Sequence, residues 1–158
     1  MKILLSALLL LVTFPAVVGT AAATVATAPH PAPATRLFSW VPAGGFADRF
    51  PYGQCTWWAA YNRRVSWNGN AGDWLAKAQA QGVPTNSTPS VGAIAVYRPG
   101  GGYSDLYGHV AVVIAVGPGT YTVSDMNFTG WGQVSTRTVG WPDPHIEGFI
   151  PVREEDKA

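Results

Sequence analysis

The one cysteine of this 158-residue chain, Cys55, and a histidine at the head of its most apolar run, His109, carry the side chains best suited to nucleophilic chemistry. Cys55 stands in Tyr-Gly-Gln-Cys-Thr-Trp-Trp-Ala-Ala-Tyr-Asn-Arg-Arg, residues 52–64. Gly53 breaks the Pro-containing stretch before it. From Thr56 onward the residues suit a helix, with Trp57, Trp58, Ala60 and Tyr61 available to an apolar stripe. Arg63 and Arg64 fall in its expected last turn, where cations complement the helix dipole. Cys55 would then sit at a helix N-terminus, whose unpaired N–H groups favour thiolate over thiol and can receive an oxyanion. A lone cysteine is otherwise often a small buried hydrophobe. The compartment and the histidine argue against that here.

Gly108-His109-Val-Ala-Val-Val-Ile-Ala-Val116 reads as an apolar strand with the histidine at its first position. Charging an imidazole inside a core is costly, so His109 is expected neutral, partnered, or at the strand's open end. Gly108 leaves space beside the ring. The rival base is His145, in a turn with Asp143, Pro144 and Glu147. The next strand ends in Ser124-Asp125-Met126-Asn127-Phe128. Residues two apart on a strand share a face, so either Asp125 or Asn127 could accept from Nδ1 of His109 and orient the ring. A solvated strand-end carboxylate is the competing reading for Asp125.

These groups need elements to hold them. Residues 1–23 read as a signal peptide: Lys2, an apolar run from Ile3 to Val12, and Ala21-Ala22-Ala23 as the cleavage site. The apolar stretch, interrupted by Pro15, falls short of the roughly 20 residues of a spanning helix. Export implies an oxidising compartment, where one unpaired cysteine is either an intermolecular disulfide or a free reactive thiol. Residues 24–37 are Pro/Ala/Thr-rich and read as a linker, His30 within it. Residues 38–152 form the expected domain, and 153–158 a frayed tail.

Within the domain, Asp73 could cap a second helix through Trp74-Leu-Ala-Lys-Ala-Gln-Ala-Gln, ended by Gly82 and Pro84. Beyond residue 85 the pattern turns extended, with strands expected at 91–97, 109–116, 120–127, 133–139 and 146–152. Gly117-Pro-Gly is a hairpin signal. Helices followed by a run of strands predict an α+β fold with an antiparallel sheet of about five strands. Without Lys2 the chain carries equal numbers of basic and acidic groups. Residues 36–98 are net basic and 99–158 net acidic, which suits two halves attracting each other. No concentrated basic face marks a nucleic-acid binder. A single cysteine and three scattered histidines exclude a Cys/His structural zinc site.

Tyr52-Gly-Gln-Cys-Thr-Trp57, Gly108-His-Val-Ala111 and Ser124-Asp-Met-Asn-Phe128 resemble, in order, the three signatures of the CHAP family, the cysteine, histidine-dependent amidohydrolases/peptidases. Asn70-Ala-Gly-Asp-Trp74, with Ala78 and Gly82, and Pro89-Ser-Val-Gly-Ala93 match as well, so the resemblance spans roughly residues 46–151. It implies a papain-like α+β fold and hydrolysis of peptidoglycan amide bonds, by endopeptidase or amidase action, without a metal or other cofactor. Carried over, Cys55 is the nucleophile and His109 the base. Asp125 stands where Glu is common, Asn127 matches the family's Asn, and Gln54 takes an oxyanion or structural role. Tyr103, Tyr107, Trp131 and Trp67 are candidates to line the substrate groove. Peptidoglycan is the expected partner, with no nucleic acid, no stable membrane insertion after cleavage, and a monomeric, extracytoplasmic protein. The alternatives are a catalytically silent wall-binding module and a thiol amidase of the same fold acting on a non-wall amide.

Overall fold

The computed structural model describes residues 49–156, so the expected leader and linker, with His30, lie outside the described residues. The chain runs through α1 (Cys55–Asn62), a 3-10 turn (Ala71–Asp73) continued by α2 (Trp74–Ala80), and five strands. These are β1 (Ile94–Tyr97), β2 (His109–Gly117), β3 (Thr120–Met126), β4 (Val134–Gly140) and β5 (Ile146–Ile150), followed by a 3-10 turn at Glu154–Asp156. The strands form one antiparallel sheet in the order β4-β3-β2-β1-β5. The α+β expectation therefore holds. The hairpin is also where the sequence put it, with Gly117 opposite Thr120 and Pro118-Gly119 between them.

Alternation along the central strands builds two apolar faces. Ile94, Val96, Val110, Val112 and Ile150 face the helices and pack with Ala59, Ala60, Trp67, Trp74 and Ala78. Ala95, Tyr97, Ala111, Val113, Tyr121, Val123 and Phe149 form the opposite cluster. A buried hydrogen bond from Trp58 Nε1 to Ser124 Oγ, 3.1 Å, fastens α1 to β3. Such a bond contributes about 1 kcal/mol net, and it fixes the nucleophile's helix against the strand that carries Asp125.

Four local expectations are corrected. The first strand begins at Ile94 rather than Val91, because Gly92 at φ 83° turns the chain just before it. Asp73 makes no side-chain cap; it lies inside the 3-10 turn with helical φ and ψ, which an N-cap residue does not adopt. Arg63 is no solvated dipole cation but a buried C-cap residue, 1% exposed. Its guanidinium donates to the carbonyls of Gly92, Ile150 (3.4 Å) and Pro151 (3.1 Å) and to Asp156 Oδ2 (3.1 Å). The expected frayed tail is accordingly folded as far as Asp156, whose carboxylate is fully buried between Arg63 and Arg153. A buried guanidinium requires a counter-charge, and the last turn supplies it.

Candidate active site

Gly53 enters the site at φ 93°, and any Cβ there would strike the Trp131 indole, 2.3 Å away. The N-cap Gln54 follows in extended conformation, and Cys55 opens α1. His109 opens β2, opposite Tyr97 on β1. Gly108 before it lies at φ 65°, and a Cβ there would meet the Tyr97 carbonyl oxygen at 2.4 Å and Gly72 backbone at 3.0 Å. Its role is close backbone packing under the histidine, more than room beside the ring. Cys55 belongs to the helix-side cluster with Val110 and reaches His109 at the end of the strand.

His109 Nε2 lies 3.1 Å from Asp125 Oδ2, leaving Nδ1 for the thiol, the reverse of the nitrogen assignment expected from sequence. Asp125 is fully buried and takes two further donors, Ser135 Oγ on Oδ1 at 2.5 Å and Arg137 Nε on Oδ2 at 2.9 Å. Burial would raise this carboxyl, but the His109 and Ser135 hydrogen bonds and the two cations hold it below the usual carboxylate range. Burial likewise opposes ionisation of Cys55. The hydrogen bond and charge of His109, with backbone bonds from Val110 and Thr56, outweigh it and lower the thiol. At His109 burial works against the cation, yet hydrogen bonds to Asp125 and Cys55 raise the imidazole to about 9. Between those two limits the site holds a thiolate against an imidazolium, the reactive form of a cysteine nucleophile.

Asn127 does not share the imidazole. The strand ends at Met126, and Asn127 adopts φ 65°, which breaks the alternation that would have kept it on the face of Asp125. Its Nδ2 donates instead to Gln54 Oε1 at 3.0 Å. With that oxygen engaged, Gln54 keeps its Nε2–H groups for an acceptor in the cleft that Gln54, Cys55, His109 and Asn127 line. The cleft measures about 540 Å³, and Tyr103, Tyr107 and Phe128 also line it.

The CHAP domain family matches residues 45–127, more than half of the sequence, taking in the first two signatures and the third as far as Asn127. The chain belongs to the CHAP domain family. Among similar proteins, the probable autolysin LDP of Staphylococcus aureus is 40% identical over 99 residues, covering 57% of this chain and 33% of that protein. The N-acetylmuramoyl-L-alanine amidase sle1 of Staphylococcus saprophyticus is 33% identical over 120 residues, covering 69% and 34%. A crystal structure of an N-acetylmuramoyl-L-alanine amidase from Staphylococcus aureus superposes with a TM-score of 0.56 at 31% identity, over 65% of this chain and 34% of that one. The chain spans less than half the length of the curated relatives it matches.

In this CHAP domain Tyr103 and Tyr107 line the cleft. Trp67 does not: it is 4% exposed and packs edge-on against Trp74 in the helix-side core. Trp131 is 63% exposed and edges Tyr52 outside the cleft lining, held across Gly53. The rival His145 packs its ring on Gly101, away from the cleft lining. Three side chains escaped the sequence reading. Phe128 stands edge-on to His109 with centroids 5.9 Å apart, and Ser135 and Arg137 bind Asp125. Ser135, Arg137 and Val139 alternate along β4, and that period of two was the available signal. Among the described residues, no group of three or more His, Cys, Asp or Glu side chains is placed to hold a metal.

Proposed function

We propose that the chain is an exported thiol hydrolase that cleaves amide bonds of peptidoglycan, as a stem or cross-bridge endopeptidase or as an N-acetylmuramoyl-L-alanine amidase. One observation carries the reading: a helix-opening cysteine bonded to a histidine that is itself backed by a buried carboxylate, at an open cleft. The resemblance to amidases and an autolysin supports the substrate class. The amino-terminal signal-peptide pattern supplies the extracytoplasmic location.

In the proposed sequence the Cys55 thiolate attacks the amide carbonyl carbon, and the electron pair of the C=O bond moves onto oxygen. The Cys55 backbone N–H and the free Gln54 amide donors stabilise that oxyanion. Collapse expels the amine, which takes its proton from the His109 imidazolium, leaving a thioester. Water then gives a proton to neutral His109 while attacking the thioester, and release of the acid returns the thiolate–imidazolium pair. Asp125 keeps the ring aimed and supports its charge throughout.

Incubation of purified sacculi with the protein, beside Cys55→Ala, tests the proposal. Mass spectrometry should find fragments released only by the intact cysteine, and their new termini name the bond. Folded protein that releases nothing while its Cys55 reacts briskly with iodoacetamide would instead favour a non-wall amide. Absence of both activities would favour a silent binding module.

A further inference from the structure

Arg137 faces inward from β4, an edge strand whose side chains otherwise alternate between solvent and the sheet's second face. An inward-pointing charge on an edge strand commonly serves only to discourage strand–strand aggregation. The contacts of Arg137 go well beyond that role. In the β3–β4 register Ser135 lies directly opposite Asp125, and Arg137 two positions further, a diagonal that a long side chain can span. Its Nε donates at 2.9 Å to Asp125 Oδ2, the same oxygen that takes His109 Nε2 at 3.1 Å. Nη1 donates at 3.0 Å to the Tyr103 hydroxyl. The guanidinium carbon lies 4.2 Å from the Phe128 centroid and 5.2 Å from those of Tyr97 and Tyr103. Tyr103 in turn stacks on His109, with centroids 5.4 Å apart and planes at 20°.

We infer that Arg137 is a positioning residue: its planar fork holds the Asp125 carboxylate on His109 and ties it to the aromatic wall of the cleft. The role rests on the Cys55–His109 chemistry proposed above. Ser135 restrains only Oδ1, so without Arg137 the carboxylate can rotate its other oxygen away from the imidazole. A flexible ammonium cannot supply the same geometry, because one point charge does not reach Asp125 and Tyr103 together while staying against three rings. The charged and titratable groups around His109 are few: Cys55 from α1, Tyr97 from β1, Tyr103 from the loop before β2, Asp125 from β3 and Arg137 itself from β4.

The pH dependence of Cys55 alkylation by iodoacetamide reads the pair directly and needs no substrate. In the unaltered protein its alkaline inflection reports His109 near 9. In Arg137→Met and Arg137→Lys that inflection should fall by about one pH unit and the acid inflection should rise, as the imidazolium loses its aligned carboxylate. On the substrate identified from sacculi, kcat should fall about tenfold with KM little changed. Unmoved inflections in either variant would leave Arg137 as edge protection only and overturn the inference. So would an upward shift of the alkaline inflection, which marks a charge acting through space on a carboxylate that never moved. If Arg137→Met fails to show a cooperative melt, Arg137→Lys decides alone. Because alkylation is independent of hydrolysis, inactivity on sacculi would defeat the proposed function without touching this result.

Discussion

The carboxylate of Asp125 accepts from His109, Ser135 and Arg137, while Asn127, two residues on, bonds to Gln54. In the proposed mechanism a proton-handling arm and an oxyanion arm thus leave the same strand end, and substitutions should separate them. Asp125→Asn removes the counter-charge, so kcat/KM should fall on the order of 10²-fold and the alkaline limb of the rate profile should move down from near 9. Asn127→Ala should lower kcat while leaving that limb in place, since only the Gln54 amide is released. Rate profiles measured from pH 5 to 10 check both, and identical profiles for the two variants would contradict the division. Cys55, His109 and the Asp125/Asn127 pair could be singled out because each lies in a short local pattern, while the choice of Asp125 over Asn127 as the partner of His109 could not be read there. Nor could the partner of Asn127, which turns on that residue's own φ of 65°, or the nitrogen facing Asp125, which depends on how the ring is seated between strands.

Among the elements, α1 is held at both ends. Trp58 bonds Ser124 on β3, and Arg63 closes the helix against the chain before β1, the end of β5 and the last turn. Removing one partner of a buried ion pair typically costs about 3–5 kcal/mol, because the other charge stays buried alone. Asp156→Ala should therefore lower unfolding stability by roughly 3 kcal/mol, whereas Glu155→Ala, whose side chain is 61% exposed, should change it little. Denaturant titration distinguishes them, and equal midpoints would show that the clasp is not load-sharing. The order and type of elements were legible from a change of hydrophobic period. Arg63 was not, because a cation after a helix looks the same in sequence whether it meets water or a carboxylate 93 residues away.

For the whole molecule, pH should act from both sides. Asp125 and Asp156 both ionise more readily folded than unfolded. Their stabilisation is complete above their unfolded values, near 4, and is lost as pH falls through the lower native ones. His109 runs the other way: raised from 6.5 to about 9, it contributes fully below 6.5 and loses its contribution as pH rises through about 9. Tm followed by calorimetry should be greatest between roughly pH 5 and 6.5, decline as pH rises from there through about 9, and fall again below about pH 4. A Tm that climbs toward pH 3 would contradict the assignment of both buried carboxylates.

The Arg63–Asp156 clasp also sets an order in time. During synthesis the helix bearing the nucleophile emerges long before residue 156, and until that residue arrives the guanidinium has no carboxylate to enter the interior with. The fold is thus locked last, from its far end. A chain made only as far as β5 has the nucleophile's helix fastened at one end, so the Cys55 site is steadied by a carboxylate that bonds nothing in it.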